Sequence, residues 1–333
     1  MPVWPQEISQ DDPPNQRNMI VCVGDITPDI IIPYGETLQA LSQLCEGKVV
    51  TCNPVLRPGG SVANTVATLG RLGLQPYMIT GVGNDEYGDF LVHHLQECGV
   101  HVEYVYRQKE RMSLILAVID SKGERVIYLF NGPGAKLPEP TREQLPQDII
   151  PHIAWVHANG FANDATVDYL EACAQAGAMV SFDLNLRCET FGFQADRKAR
   201  ILRAVDASNV LLGSGLEEFA PLTGKADLRS AVKALGKSDR IVVARDGHNP
   251  VHLYVDGQYE TIPVMPTKVV NRVGGGDAFN GGFIAAYAAG LSARDAVRWG
   301  NCCASCAISS HEPHSIPPKN IIEDMVAAHY TDY

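Results

Sequence analysis

The sequence predicts an α/β protein in which helices cover both faces of a mostly parallel sheet. Short apolar runs of strand length alternate with amphipathic stretches of helical length along most of the 333 residues, and this alternation is typical of parallel sheets. Two stretches, residues 30–58 and 99–130, break the rhythm with short β-type runs and predict a small antiparallel sheet that projects from the core. Ligands bind at the carboxyl ends of parallel strands, so we expect this small sheet to form a lid over the site.

The core elements follow one another in chain order. A strand at residues 19–24 and a helix at 62–72 come first, followed by a strand at 77–81 and a helix at 87–98. Later strands are expected at 155–157, 179–182, 210–212 and 240–243, with helices at 165–176, 195–205 and 228–235. We assign residues 19–29, 59–98 and 131–333 to the α/β core and residues 30–58 and 99–130 to the lid, whose strands are expected at 102–105, 114–119 and 125–128.

The composition narrows the class of protein. Residues 1–18 contain four prolines and no apolar period, so we expect a disordered tail. This tail lacks the features of a signal peptide, and no later segment has the roughly 18 apolar residues of a membrane span, so a cytoplasmic protein without a membrane partner is expected. A formal net charge of −11 argues against a nucleic-acid partner, but it is compatible with phosphate ligands held by local groups.

The cysteines can be interpreted as buried thiols or as zinc ligands. Nine are present, and most lie in apolar segments, which favours reduced, buried thiols. The run from Cys302 to Cys306, with His311 and His314 downstream, has spacing that zinc sites also use. Because these thiols lie in a helical run of small residues, packing is the favoured interpretation.

The chemistry is indicated most strongly by Gly274-Gly275-Gly276-Asp277, which opens an Ala-rich helical stretch. Consecutive glycines let backbone N–H groups turn toward an anion, and the helix N-terminus adds its positive dipole. A carboxylate beside such an anion hole is expected to take a proton from a group that attacks phosphate. On these residues alone, Asp277 could instead be an ordinary helix N-cap.

A second glycine motif, Gly59-Gly60, also opens a helix, and Asn64 one turn later can hydrogen-bond a hydroxyl group. Asp25 and Asp29 follow the first strand, so they should lie at the edge of the cleft. Short carboxylates accept hydrogen bonds from sugar hydroxyls, although Asp25 could equally cap a turn. The usual nucleotide fingerprints, the P-loop and the dinucleotide motif, do not occur.

These two motifs, in this order, resemble the PfkB (ribokinase-like) family of carbohydrate kinases from about residue 19 to residue 317. The resemblance implies a ribokinase-like three-layer fold, an ATP-dependent sugar kinase and Mg²⁺. It also implies that Asp277 is the base that deprotonates the sugar hydroxyl, with the amides of Gly274 to Gly276 as the anion hole. Asp25, Asp29, Gly59, Gly60, Asn64 and Asp277 would then bind the sugar.

Further positions match the family one at a time. Asp183-Leu184-Asn185-Leu186-Arg187 is similar to its Asp-x-Asn-x-Arg segment, which implies that Arg187 lies near phosphate and that Asn185 lies at the nucleotide side. Glu218 resembles the glutamate that organises magnesium. Gly247 matches a glycine turn at the nucleotide, and Asn301 an asparagine that borders the adenine pocket.

The chain also departs from the family pattern. Asn271-Arg272 stands where the second motif usually has Asp-Thr, so a monovalent cation is either bound as in the family or replaced by the charge of Arg272. Arg187 and Arg272 are the expected cationic helpers. Gly215 replaces the asparagine that precedes Glu218 in the family motif, and Pro250 replaces the second glycine after Gly247.

Three other functions stay open. Tyr34, Tyr104 and Tyr106, expected in the lid, keep a nucleoside kinase possible. A 2-keto-3-deoxygluconate kinase often resembles the run Arg272 to Asp277, although residues 128–131 lack the arginine that would hold its substrate carboxylate. A sensor without activity, binding sugar or nucleotide, is the alternative from another class. An exposed lid edge further predicts a homodimer formed through the lid.

Overall fold

The computed structural model describes residues 17–41, 52–121, 125–130, 135–136, 140–310 and 315–330. The tail expected at residues 1–18 lies outside these ranges up to residue 16. His311 and His314, which the zinc interpretation needs, also lie outside the described residues.

Fifteen strands are present in the described part of the chain, and nine of them form one large sheet in the order β15-β14-β13-β12-β11-β10-β1-β4-β5. The seven strands from β13 to β5 run parallel to their neighbours, and β14 and β15 add an antiparallel hairpin at one edge. The mostly parallel sheet expected from the sequence is thereby confirmed. The strands are β1 Met19–Val23, β2 Thr27–Pro33, β3 Val55–Gly59, β4 Tyr77–Gly83, β5 Val105–Gln108, β6 Arg111–Met112, β7 Leu114–Ile119, β8 Arg125–Phe130, β9 Ala135–Lys136, β10 Ile153–Asn159, β11 Met179–Asp183, β12 Val210–Ser214, β13 Ile241–Asp246, β14 Asn249–Val255 and β15 Gln258–Ile262.

Helices cover both faces of the large sheet, which gives three layers. One buried apolar cluster joins one face to α2, α3, α9, α10 and α11, and a second joins the other face to α4, α6 and α8. Two short 3₁₀ turns, at Arg142–Gln144 and Ile150–His152, precede β10. The α-helices are α1 Leu38–Leu41, α2 Ser61–Arg71, α3 Glu86–Glu97, α4 Asp164–Gln175, α5 Cys188–Phe191, α6 Ala195–Ala207, α7 Gly215–Thr223, α8 Leu228–Leu235, α9 Gly275–Ala288, α10 Ala293–Ile308 and α11 Lys319–His329.

The small sheet has four strands in the order β3-β2-β7-β8 and differs from the expected sheet in two ways. It is mixed, because β2 pairs with β7 in parallel while the other two pairs are antiparallel. It also lacks the strand expected at residues 102–105, since β5 pairs with β4 in the large sheet. Apolar alternation identified a strand there, but alternation carries no information about which sheet a strand joins.

The fold places a ligand crevice where the strand order reverses. The chain adds β4 and β5 on one side of β1, and β10 to β13 on the other, and such a reversal opens a crevice at the carboxyl ends of the strands. Asp25 follows β1 and Asn159 ends β10, and the Asn159 side-chain amide donates a hydrogen bond of 2.8 Å to the Asp25 carboxylate. The first polar groups of the candidate site therefore meet at this crevice.

Helices α2 and α9 pack closely beside that crevice. A methyl group at Gly281 would lie 2.5 Å from the Cβ of Thr68, so the absence of a side chain at Gly281 allows the two helices to approach. Their N-termini, which carry the two glycine motifs, are thereby held side by side. None of the described helices is long and apolar enough to cross a membrane.

Candidate active site

Asp277 lies in the first turn of α9, where Gly274 is the N-cap residue. The Ser61 hydroxyl donates a hydrogen bond of 2.6 Å to one carboxylate oxygen of Asp277, and the Asn64 side-chain amide donates one of 2.7 Å to the other. The N–H groups in the first turn of a helix have no acceptor within the helix. Asp277 is therefore fixed by α2 beside backbone donors that can bind an anion.

The protein environment of Asp277 favours the protonated carboxyl group more than an aqueous environment would. Burial raises the pKa of Asp277 to about 6, the hydrogen bonds from Ser61 and Asn64 oppose this rise, and the charges of Asp183 and Asp25 add to it. A pKa near 6 leaves the group mostly ionised at neutral pH while making it a stronger base than an exposed aspartate.

Asp25 caps the N-terminus of α2. Its carboxylate accepts hydrogen bonds from the backbone N–H of Ser61, at 2.6 Å, and of Val62, at 3.2 Å. Together with the bond from Asn159, these contacts occupy both carboxylate oxygens. The capping alternative from the sequence thus describes what Asp25 does here, and its contact with substrate stays a prediction.

Asp29 lies on β2, and its carboxylate accepts a hydrogen bond of 2.8 Å from the Thr27 hydroxyl. Burial raises the pKa of Asp29 to about 7, and the charges of Asp25 and Asp277 contribute to the rise. Asp29 also faces Gly59, where a Cβ atom would lie 2.3 Å from the carboxylate. A side chain at position 59 would therefore displace Asp29.

An open cleft lies between these groups. Its lining includes Asp29, Gly59, Asn64, Asn271 and Gly274. The two glycine motifs and Asp29, which are far apart in the sequence, thus line one cavity beside Asp277.

A buried ion pair supports the first turn of α9 from below. The Arg245 guanidinium contacts the Asp183 carboxylate at 2.7 Å, with side chains only 12% and 4% exposed. It also donates hydrogen bonds to the Gly276 carbonyl oxygen, at 2.6 Å, and to the Asn280 side chain, at 2.5 Å. Arg245 therefore connects the end of β11 to the glycine motif.

Glu218 lies near this ion pair at the start of α7. Its carboxylate accepts a hydrogen bond of 2.7 Å from the Ser214 backbone N–H. Burial raises the pKa of Glu218 to about 7, the charge of Asp183 adds to the rise, and Arg245 and Arg187 oppose it. The Glu218 carboxylate is the kind of oxygen ligand that Mg²⁺ takes, whereas the Asp183 carboxylate is already paired with Arg245.

The remaining predicted residues have more varied surroundings. Asn185 is buried and accepts a hydrogen bond of 2.9 Å from Arg187, whose side chain is exposed. Gly247 lies in the exposed turn between β13 and β14. The Asn301 amide donates to the Pro263 carbonyl and to the Tyr330 hydroxyl. No described contact joins Gly247 or Asn301 to Asp277, so their nucleotide roles stay predictions.

The aromatic side chains expected in the lid are placed differently. Tyr106 lies on β5 in the large sheet with its ring against Gly81, and Tyr104 packs on Tyr77 with ring centroids 5.8 Å apart. The expectation that these two tyrosines belong to the lid is wrong, for the same reason that β5 was misplaced.

Cys302 and Cys303 are fully buried in α10.

Sequence reasoning missed two contributors to the site. Ser61 directly follows the Gly59-Gly60 motif, and a hydroxyl at the first position of a helix can contact a neighbouring helix end. Arg245 was overlooked in favour of Arg187 and Arg272, which are both exposed. Its signal was a charged residue at the carboxyl end of a buried parallel strand, which is where sites form.

Comparison with known proteins identifies relatives over most of the chain. The model of the pfkB family of carbohydrate kinases matches residues 17–320. A fructokinase of Klebsiella pneumoniae is 31% identical over 255 residues, covering 73% of this chain and 80% of the relative. A 5-dehydro-2-deoxygluconokinase of Clostridium tetani is 28% identical over 276 residues, covering 78% of this chain and 81% of the relative.

Solved structures with the same fold extend this likeness. A fructokinase with bound ATP from Xylella fastidiosa superimposes with a TM-score of 0.77 at 20% identity, covering 95% of this chain and 99% of that protein. A ribokinase from Thermotoga maritima superimposes with a TM-score of 0.75 at 22% identity, covering 92% and 99%. The ribokinase-like three-layer fold is thereby confirmed.

Replacing Arg245 by Met should lower the free energy of unfolding by about 3–5 kcal/mol, because the buried Asp183 carboxylate loses its charged partner. Arg142→Met is the matched control, since Arg142 pairs with Asp168 while 75% exposed, and its loss should cost less than about 1 kcal/mol. Denaturant unfolding at pH 7 measures both. The double variant Asp183→Asn/Arg245→Met should recover much of the loss, and strictly additive effects would contradict this account.

Proposed function

The chain belongs to the pfkB family of carbohydrate kinases, and we propose that it transfers the γ-phosphate of ATP to a hydroxyl group of a small sugar, with Asp277 as the base. As a family member it is a phosphotransferase with an alcohol acceptor. The observation that carries the proposal is the position of Asp277, which Ser61 and Asn64 fix beside the free N–H groups of α9. A relative with fructokinase activity by name, at 31% identity, supports the sugar as acceptor.

Asp277 removes the proton of the attacking hydroxyl group. Its two hydrogen bonds orient the carboxylate, and a pKa of about 6 leaves the base ionised at neutral pH. Asp29 and Asn64, which line the same cleft, hold the sugar by its other hydroxyl groups together with Asp25, Gly59 and Gly60. Positioning of this kind supplies much of the rate enhancement in phosphoryl transfer.

The backbone N–H groups of Gly274, Gly275 and Gly276 bind the transferred phosphoryl group and stabilise its developing charge. Arg187, the N-cap residue of α5, assists, and Asn185, Gly247 and Asn301 contact the nucleotide. Glu218 would hold Mg²⁺, because a carboxylate oxygen is a ligand that suits this cation. When bound, the ion neutralises charge on the phosphate oxygens. A fructokinase of Vibrio cholerae in fructose, ADP and calcium ion bound form provides a precedent for a divalent cation in this fold.

Two other functions compete with this one. A nucleoside kinase loses support, because Tyr104 and Tyr106 pack outside the small sheet. A sensor that binds sugar or nucleotide without turnover would have no use for a base at position 277. A panel of sugars and nucleosides, tested with ATP and Mg²⁺, distinguishes the three.

We also propose that the protein acts in the cytoplasm, where ATP is supplied, and that it forms a homodimer through the small sheet. The register places Ile30, Leu56, Leu116 and Tyr128 in one row across the four strands, with Phe130 on the same side. We call this the outer face. Tyr128 and Phe130 are 48% and 52% exposed, and an apolar surface of this kind is typical of an interface.

Asp277→Asn should abolish ADP release across the whole panel, with a loss in kcat of at least about 10²–10⁴-fold, because the amide cannot accept the proton. A coupled ADP assay measures turnover. Asp256→Asn is the control, since Asp256 lies in the turn between β14 and β15 and its change should leave turnover intact. Full activity of the Asp277→Asn protein would remove the base from the mechanism.

The pH dependence of kcat/KM should identify Asp277. Because the base is active when ionised, kcat/KM should fall as pH decreases below about 6, the pKa of Asp277. The Ser61 hydroxyl lowers this pKa, so Ser61→Ala should raise it and move the acid limb to higher pH. If the limb stays in place in the Ser61→Ala protein, it belongs to another carboxyl group.

Tyr128→Lys combined with Phe130→Lys should convert the dimer to a monomer, because two charges on the outer face oppose its burial. Size-exclusion chromatography with light scattering measures the mass. Val269→Lys is the control, because Val269 is 47% exposed and lies outside the small sheet. A wild-type protein that is monomeric at micromolar concentration would refute the proposed dimer.

A further inference from the structure

Arg57 is a charged residue in the substrate cleft that the proposed mechanism does not use. It lies on β3, an edge strand of the small sheet, directly opposite Asp29 on β2. It lines the same cleft as Asp29, Gly59 and Asn64. Unlike those residues, it carries a permanent positive charge.

The face of the small sheet toward the cleft is otherwise almost free of charge. In an antiparallel pair, residues directly opposite each other point to the same face, so Arg57 and Asp29 share it. Most other residues that alternate onto this face are apolar or uncharged, and by register Arg125, opposite Ile119 at the far end of β8, is the charged exception. The uncharged ones include Thr27, Ile31, Val55, Ile115, Ala117, Ile127 and Leu129.

Arg57 and Asp29 do not neutralise each other. Among the described residues, no carboxylate oxygen lies within 4.0 Å of the Arg57 guanidinium. Asp29 accepts its hydrogen bond from Thr27 instead, and burial raises its pKa to about 7.

The Nε atom of Arg57 is also buried, and it has no hydrogen-bond partner in the part of the chain that the structure describes. Leaving a buried donor without a partner costs more free energy when the donor belongs to a charged group than when it is neutral. A guanidinium group left in this condition in a ligand cleft is explained most simply by an anionic group that arrives with the ligand.

On the premise of the proposed kinase function, we infer that the substrate is a sugar acid and that Arg57 binds its carboxylate. Arg–carboxylate pairs form two parallel hydrogen bonds, one of which can use Nε. The substrate then has a hydroxyl group at Asp277 and a carboxylate at Arg57. A single cation beside Asp29 suits a monoanion better than a phosphate dianion, which Asp25 and Asp29 would repel.

Arg57 provides the positive charge for a substrate carboxylate that residues 128–131 lack. The sequence offered no arginine after the tyrosine-containing strand, which argued against an acidic substrate. In the small sheet, Ile115 on β7 pairs with Leu129 on one side and with Asp29 on the other, and Asp29 pairs with Arg57. Arg57 therefore lies in the same row as Leu129 of β8, three strands away.

The test compares sugar acids with neutral sugars. We would measure kcat and KM with ATP and Mg²⁺ for 2-keto-3-deoxygluconate, 5-dehydro-2-deoxygluconate and gluconate, and for fructose and ribose. The wild-type protein should prefer at least one acid. Arg57→Gln should lower kcat/KM for that acid about 10- to 100-fold, mostly through KM, because a charge-assisted hydrogen bond is lost, and it should leave neutral sugars unchanged. Arg57→Lys should recover part of the loss.

Two controls separate this inference from its alternatives. Arg111→Gln removes an exposed positive charge and should not change the preference. Light scattering of Arg57→Gln tests whether Arg57 instead contacts a second copy, in which case the mass falls and the inference fails.

The inference and the proposed function can fail separately. Turnover of neutral sugars alone, with Arg57→Gln unaffected, overturns the sugar acid while the kinase stands. Absence of any turnover overturns the kinase, and calorimetry then tests Arg57 directly. Binding of an acid that Arg57→Gln abolishes supports the assignment of Arg57, whereas no binding of any of the three acids overturns it.

Discussion

The site depends on two hydrogen bonds made by one residue, Ser61. Its backbone N–H binds the Asp25 carboxylate at the end of β1, and its hydroxyl binds the Asp277 carboxylate at the start of α9. Gly60 makes this arrangement possible, because its φ of 98° is disfavoured for other residues and a Cβ atom there would lie 2.6 Å from the Asp25 carbonyl oxygen. A strand end and two helix N-termini are thereby fixed relative to one another.

The balance of charge around this junction explains how so many acids coexist. Asp29, Glu218 and Asp277 all have a raised pKa, and burial is the largest cause for each. The Asp25 carboxylate is held by backbone and amide donors, and the Asp183 carboxylate by Arg245. The ionisation of Asp29, Glu218 and Asp277 therefore responds to the charge of whatever binds near them.

Much of this fold was predictable from the sequence, and the unpredicted parts have a common cause. Apolar alternation located β1, β4, β10 to β13 and their helices, because periodicity reports which face of an element is buried. The resemblance to the family predicted that Asp277, Asn64 and Gly274 belong to one site. Sheet membership of β5 and the parallel pairing of β2 with β7 were not predictable, because they depend on contacts distant in sequence. The positions of Arg245 and Arg57 in the site were not predictable for the same reason, because they also depend on contacts with residues distant in sequence.

The small sheet begins and ends beside the fixed junction. β2 starts two residues after Asp25, and β3 ends at Gly59, immediately before Gly60 and Ser61. The first half of this sheet is thus an insertion between β1 and α2, attached at residues whose geometry the junction already determines. Its length and side chains can change during evolution without disturbing Asp277 or the helix N-termini. Substrate range can therefore diverge among relatives, by exchange of this segment, while the transfer chemistry is inherited unchanged.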